Sequence, residues 1–243
     1  MKIIKPSAEI LTTNLGYEIL KKIEVAGRTC YKSENNITSD SATKFVKMLI
    51  DREHEAMLEH ASVTVRFICD RGVSHEIVRH RVASYAQEST RYCNYSKDKF
   101  GNEITVIEPF FWDKHSANYK RWEVACREAE KAYFELITNG ATPEEARSVL
   151  PNSLKTEIIV TMNMREWRHF FKLRTAPAAH PQMREVAIMA LEQMKRFIPV
   201  IFDDLGGRSE WDGHAAEKAI LTCNVTKLPC AGCNSVCEHR AKS

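Results

Sequence analysis

The chain has no run of eighteen consecutive apolar residues, so no membrane-spanning helix is expected. It has no G-x-G-x-x-G and no G-x-x-x-x-G-K-[ST], so neither a Rossmann dinucleotide site nor a P-loop is supported. It has no G-x-S-x-G elbow and no cysteine in an obvious nucleophile setting. Covalent catalysis by a side chain is therefore not indicated. Charge excess is small: 35 Lys and Arg against 32 Asp and Glu give a net +3. That is well short of the basic footprint of a dedicated nucleic-acid binder. Internal repeats and low-complexity segments are absent. The opening "MKIIKPSAEILTTNLG" carries only a short apolar run, which is no secretory signal. A cytoplasmic location with reduced thiols is expected.

What remains is an ordinary globular composition, 44% hydrophobic and 28% charged over 243 residues, long enough to bury a substantial core. One catalytic domain is expected over residues 1–205, followed by a tail over 206–243. The tail holds Cys223, Cys230, Cys233 and Cys237 in a C-x6-C-x2-C-x3-C pattern, with His239 close behind. Four thiolates could hold zinc tetrahedrally. A single C-x2-C lacks the matching pair of a structural zinc site, so no resident metal is expected.

Helical spacing of Leu15, Ile19 and Ile23 predicts a helix over 15–31, and a second is expected over 41–52. "ASVTVRFIC" alternates, with Val63, Val65, Phe67 and Cys69 on one face of a half-buried strand. "GVSHEIVRHRVA" (72–83) predicts a helix capped by Ser74, giving way to a loop after Ala83. "EITVIEP" and "LKTEIIVTMN" predict further strands. Helices are expected over 114–139, 164–174 and 181–203, with a sharp helix start at Thr142, Pro143 and Glu145. The sum is an α+β fold: one domain with a small, largely antiparallel sheet flanked by helices.

Histidines at 75 and 80, and at 54 and 60, are near-misses to a helical zinc site. Spacings of five and six turn the second ring about 140° and about 240° away, so neither pair shares a face. The stretch "RHRVASYAQESTRY" (79–92) holds three arginines, one histidine and two serines, and no lysine. Arginine offers a planar fork suited to phosphate, and serines with loop amides add donors. The stretch reads either as a solvated helix end or as an anion cradle. In the 164–174 helix, Trp167, Phe170 and Phe171 form an apolar face that Arg174 continues. An arginine there must reach solvent or meet an anion. Arg165 and His169 share another face just after Asn163.

At this point the residues carry a resemblance. "RHRVASYAQESTR" resembles the RHR-x-x-S-x-x-x-x-S-x-R signature of flavin-dependent thymidylate synthases. "HEAMLEH", "HEIVRHR", "EEARSVLP", "NMREWRHFFKLR" and "MREVA" continue the likeness in order over about residues 50–205. The resemblance implies conversion of dUMP to dTMP with methylenetetrahydrofolate as carbon donor, FAD as hydride carrier and NADPH as its reductant. It also implies a homotetramer whose active sites draw residues from more than one subunit, with no role for nucleic acid or membrane. By motif it places Glu76, Arg79, Gln87, Ser89, Thr90, Arg91, Arg147 and Arg174 at dUMP. The resemblance puts Arg174 at the uracil ring as the catalytic group. It places Ala56, Glu59, Arg79, His80, Arg81, Asn163, Arg165 and His169 at FAD, with His60 nearby. The sequence departs from the pattern at Ala86, where many members have Asn, at Gln87 for Glu, at Ala56 for Ser or Thr, and at Ala178 for a flavin-side His. His180 follows two residues on. The competing expectation is a basic nucleic-acid-binding module with a C-terminal zinc site.

Overall fold

The structure, a computed structural model, describes residues 1–97 and 101–206. The cysteine cluster at 223–237 lies outside the described residues. In chain order the elements are β1 (Lys2–Ile4), β2 (Ser7–Ile10), α1 (Tyr17–Tyr31), α2 (Ser41–Asp51), β3 (Ser62–Asp70), α3 (Arg71–Ile77) and β4 (Ala83–Gln87). They continue with β5 (Thr105–Ile107), α4 (Ala117–Thr138), α5 (Pro143–Ala146), β6 (Lys155–Asn163), α6 (Met164–Arg174), α7 (Pro181–Phe197) and α8 (Pro199–Phe202). A four-stranded sheet has the order β2-β3-β6-β4 and is antiparallel throughout. β1 and β5 form a separate parallel pair. The expected mixed architecture is found. β1 and β2 are too short to show a period and are not legible in the sequence.

The central pair β3–β6 explains the core. Val63, Val65, Phe67 and Cys69 alternate inward on β3, and Ile158, Val160 and Met162 do so on β6. α6 crosses this face: Trp167 donates its indole N–H to the Val63 carbonyl at 3.0 Å, and Phe67 packs on Trp167 and Phe170. Burying one such ring contributes about 1.5–3 kcal/mol, so this face anchors α6 against the sheet. The opposite face is polar, with Arg66 between Glu9 and Glu157 and a Thr64–Thr161 hydroxyl pair at 2.9 Å. A second cluster of Ile104, Val106, Cys126, Tyr133 and Leu154 lies under α4.

Three local expectations are corrected. Asp70, not Ser74, caps α3: its carboxylate accepts the Val73 N–H at 2.6 Å, while Ser74 donates to the Arg71 carbonyl from inside the helix. α3 stops at Ile77, and the turn closes by tighter bonds from Arg79 to Glu76 and from His80 to Ile77. The Tyr85 hydroxyl stands between the carbonyls of Ile77 and His80. Second, 83–87 is a strand rather than a loop. Ala83, Tyr85 and Gln87 face in while Ser84 and Ala86 face out. Small residues and a glutamine hide that alternation from a hydrophobic pattern. Third, the 181–203 helix breaks at Ile198, whose backbone leaves the helical region (φ -140°, ψ 60°) before Pro199 starts α8.

One buried acid is left over. Glu185 on α7 is 8% exposed, and its Oε2 has no partner among the described residues. Burial pushes its carboxyl up from 4.5 to about 7, with the charges of Asp70 and Glu108 adding and Lys5 opposing. Below pH 4.5 both folded and unfolded forms hold the proton. As pH rises toward 7 only the unfolded form releases it, so this residue's contribution falls by about 3 kcal/mol across that window. In urea unfolding at a series of pH values, Glu185→Gln should gain on the parent protein between pH 4.5 and 7 and hold a constant lead above. Parallel stability curves would sink this account.

Candidate active site

Part of the expected set, Glu59, Glu76, His80, Asn163, Arg165, His169 and Arg174, lies on or against α6. At the start, Asn163 caps the helix, its side-chain oxygen accepting the Glu166 N–H at 2.8 Å. At the end, Arg174 is half-buried and held at three points. Nη1 donates to the Glu76 carboxylate at 2.9 Å, Nη2 to the Glu76 carbonyl at 3.0 Å, and Nε to His80 Nε2 at 3.1 Å. Arg174 therefore meets its anion on α3, as its place on an apolar face requires. Three of its five N–H groups are engaged, which leaves two for a ligand.

His80 is buried against Phe170 in an edge contact, with ring centroids 4.9 Å apart, and the His169 ring lies 5.6 Å away. Its Nδ1 is 3.1 Å from Glu166 Oε1. Arginine only donates, so Nε2 must be the bare nitrogen and Nδ1 carries the proton. Burial holds the imidazole below its usual range; the charges of Arg174 and His169 push the same way, against the pull of Glu166. His80 is thus a neutral ring at neutral pH. His80, Glu166 and His169 also present ligand atoms within 4.8 Å of one another. A cation there would have to displace the Nδ1 proton and turn an N–H toward the Arg174 donor. Glu166 and His80 instead form a hydrogen-bond chain with Arg174.

A second group lies past the far end of β4. Arg147 reaches Thr90 at 3.4 Å, the Ser89 hydroxyl accepts the Arg91 N–H at 3.3 Å, and Arg71 reaches the Glu88 carbonyl at 3.4 Å. Arg91 pairs with Glu144 at 3.1 Å, with both side chains about half exposed. Such a pair contributes about 0–1 kcal/mol, so a phosphate could replace Glu144 at little cost. Gln87 faces inward and donates to the hydroxyls of Ser74 and Thr156 at 2.8 and 3.2 Å. A carboxylate at that position could not donate to either hydroxyl. Arg71 belongs to this basic group and carries no motif signal of its own.

Near the start of α6, Arg165 pairs with Glu59 at 2.6 Å on the exposed turn 55–60 that also carries Ala56 and His60. The guanidinium groups of Arg79 and Arg81 are exposed and have no hydrogen bond or ion pair among the described residues. The apolar side chains of Val78 and Val82 are exposed beside them. Free guanidinium groups beside apolar surface suit a planar heteroaromatic group that carries phosphates. Ala86 points outward from β4 and Ala178 is exposed, so neither offers a polar contact. His180 caps the backbone start of α7, with its ring 6.3 Å from Phe111.

The structure brings Glu76, His80, His169 and Arg174 together, and separately Thr90 with Arg147, and Glu59 with Arg165. It does not bring "RHR" against "STR". The five residues of β4 run between them, which at about 3.3 Å per residue is roughly 16 Å.

Residues 15–200 match the family described as thymidylate synthase complementing protein. A flavin-dependent thymidylate synthase of Pyrococcus furiosus is 36% identical over 200 residues, which cover 80% of this chain and 81% of that protein. The Geobacter sulfurreducens protein of the same name is 37% identical, covering 76% and 81%. The one from Mycobacterium marinum is 32% identical, covering 84% and 86%. Among solved structures, a UMP/dUMP methylase from Streptomyces cacaoi bound with 5-bromo-dUMP superposes with a TM-score of 0.68 at 21% identity. The match covers 84% of this chain and 96% of that one, and at this identity it bears on the fold.

Proposed function

Because the chain belongs to the family of flavin-dependent thymidylate synthases, we propose that Arg174, held by Glu76 and His80, is the group that polarises the uracil ring of dUMP. The protein is a flavoenzyme that methylates dUMP to dTMP. The observation that carries the site assignment is the three-point hold on Arg174, which aims its remaining N–H groups in one fixed direction.

Attack on a one-carbon unit needs electron density at uracil C5. A fixed guanidinium at the ring favours negative charge there, and it does so without reorganising during the reaction. Ser89, Thr90, Arg91 and Arg147, with Gln87 behind them, hold the nucleotide at its phosphate, with Glu76 and Arg79 nearer the ring. Positioning of this kind supplies much of the rate when the side chains do no covalent chemistry. Arg79, Arg81, Asn163, Arg165 and His169, with Glu59 and the backbone at Ala56, hold FAD, and His80, its ring nitrogens taken by Glu166 and Arg174, lies along it. The free guanidinium groups of Arg79 and Arg81 and the apolar Val78 and Val82 fit its diphosphate and ring. The bound flavin supplies hydride transfer, with NADPH as the source. The carbon donor is methylenetetrahydrofolate.

A homotetramer in which one site draws on more than one subunit is inferred from membership of the family. The competing idea of a nucleic-acid-binding module finds no support among the relatives. No helix among the described residues is long and apolar enough to cross a membrane, which agrees with a cytoplasmic enzyme. The purified protein should be yellow, bleach with NADPH, and oxidise NADPH in a dUMP-dependent manner when methylenetetrahydrofolate is present. A colourless protein that retains nucleic acid with steep salt dependence would overturn this function.

A further inference from the structure

Sequence patterns do not single out Glu166. An acid in the first turn complements the helix dipole and needs no further explanation. Its carboxylate nevertheless leaves its own helix. A capping box would turn it back to the backbone N–H of Asn163. Instead Oε1 meets His80 Nδ1 at 3.1 Å, while the Glu166 backbone is pinned by the Asn163 side chain at 2.8 Å. The two side chains involved are 3% and 13% exposed, so water competes poorly for the bond.

We propose that Glu166 is a positioning residue for Arg174: by accepting the Nδ1–H of His80, it keeps Nε2 as the acceptor that aims the guanidinium. The chain is Glu166, His80, Arg174, Glu76, with one charged acceptor at each end. Without Glu166 the Arg174 donor alone favours a bare Nε2, and the imidazole can carry its proton there by displacing the guanidinium. That hydrogen would face the Nε–H of Arg174, and the two donors would push apart. Phe170 and His169 pack on the ring and fix its plane, but neither packing contact selects a tautomer. Selection rests with the hydrogen bonds. In a neutral ring an outer carboxylate decides which nitrogen is bare. This inference rests on Arg174 being the group at the uracil ring.

The test compares Glu166→Ala and Glu166→Gln with the parent holoenzyme. Nitrogen NMR of the histidine rings reads the His80 tautomer, and steady-state kinetics reads dTMP formation from dUMP. In the parent, His80 should carry its proton on Nδ1. Glu166→Ala should populate the Nε2–H tautomer and lower kcat by about tenfold to a hundredfold, by analogy with the range for outer partners that orient metal-bound histidines. Glu166→Gln should keep the Nδ1–H tautomer, because the amide oxygen still accepts, and should recover most of the turnover. An unchanged tautomer in Glu166→Ala, or parental kcat in it, overturns the proposal. So does a Glu166→Gln protein that keeps the tautomer yet stays as slow as Glu166→Ala. Should Glu166→Ala not fold, Glu166→Gln decides alone: loss of the Nδ1–H tautomer there overturns the proposal, and its retention with near-parental kcat supports it. A parent protein that forms no dTMP would instead sink the functional reading, and the tautomer would still report whether Glu166 holds His80.

Discussion

Arg174→Ala is expected to lower turnover by about a hundredfold to a thousandfold while the protein keeps its flavin, the loss found when one preorganised donor to a developing anion is removed. The reasoning starts from the geometry. The guanidinium is fixed by the Glu76 carboxylate and carbonyl and by His80, so its direction is set before substrate arrives. FAD is assigned to other side chains, so flavin absorbance after gel filtration should match the parent. Arg174→Lys should recover little, since an ammonium cannot reproduce three planar contacts and still face a ligand. The structure adds an independent readout. The charge of Arg174 helps hold His80 below its usual range. Removing it should move the His80 titration upward in NMR, even in protein without substrate. Turnover equal to that of the parent would sink the assignment of Arg174.

Much of this site can be read from the sequence because it uses side chains in places where their chemistry is out of keeping. Arg174 stands on a stripe of Trp167, Phe170 and Phe171, and such an arginine must reach solvent or find an anion. The spacing could not say which one, because Glu76 is far away in sequence and is reached only through the fold. β3, β6 and α6 are legible for a related reason: long alternating or helical patterns report one buried face. β4 is not, since "ASYAQ" packs a half-buried edge with small and polar residues whose inward side is set by β6. The end of α3 is also hidden. Nothing local stops a helix at Ile77; the Tyr85 hydroxyl from β4 takes up the carbonyls. Glu166 escapes notice because an acid there satisfies the ordinary rule for a helix start. The structure shows the second partner that the rule does not require.

The largest stability effect should come from Arg168, which no functional motif marks. Its side chain is 3% exposed and joins three parts of the chain to α6. Nε donates to Glu55 at 3.0 Å, and Nη1 and Nη2 form a two-pronged pair with Asp204 at 2.7 Å each. Nη1 also donates to the Ile201 carbonyl at the end of α8. Removing one member of a buried ion pair costs about 3–5 kcal/mol, because the others lose their counter-charge away from water. Asp204 is 50% exposed and can rehydrate, so the lower end applies. Arg168→Ala should therefore lose about 3 kcal/mol, or roughly 6–12 °C in Tm for a domain of this size. Arg168→Met, which keeps the bulk, should recover part of this through packing but none of the charge pairing. The pairing also sets a pH dependence. Arg168 holds the Asp204 carboxyl below its usual range. This contribution is present above the ordinary carboxylate value and is lost as pH falls through the lowered folded value. Acid unfolding of Arg168→Ala should thus show a shallower pH dependence than that of the parent. Because Arg168 lies between Arg165 and His169 yet faces inward, the folded fraction of Arg168→Ala should keep its flavin. A Tm within a degree of the parent would show that the clamp around Arg168 contributes nothing to stability, however well its geometry is satisfied.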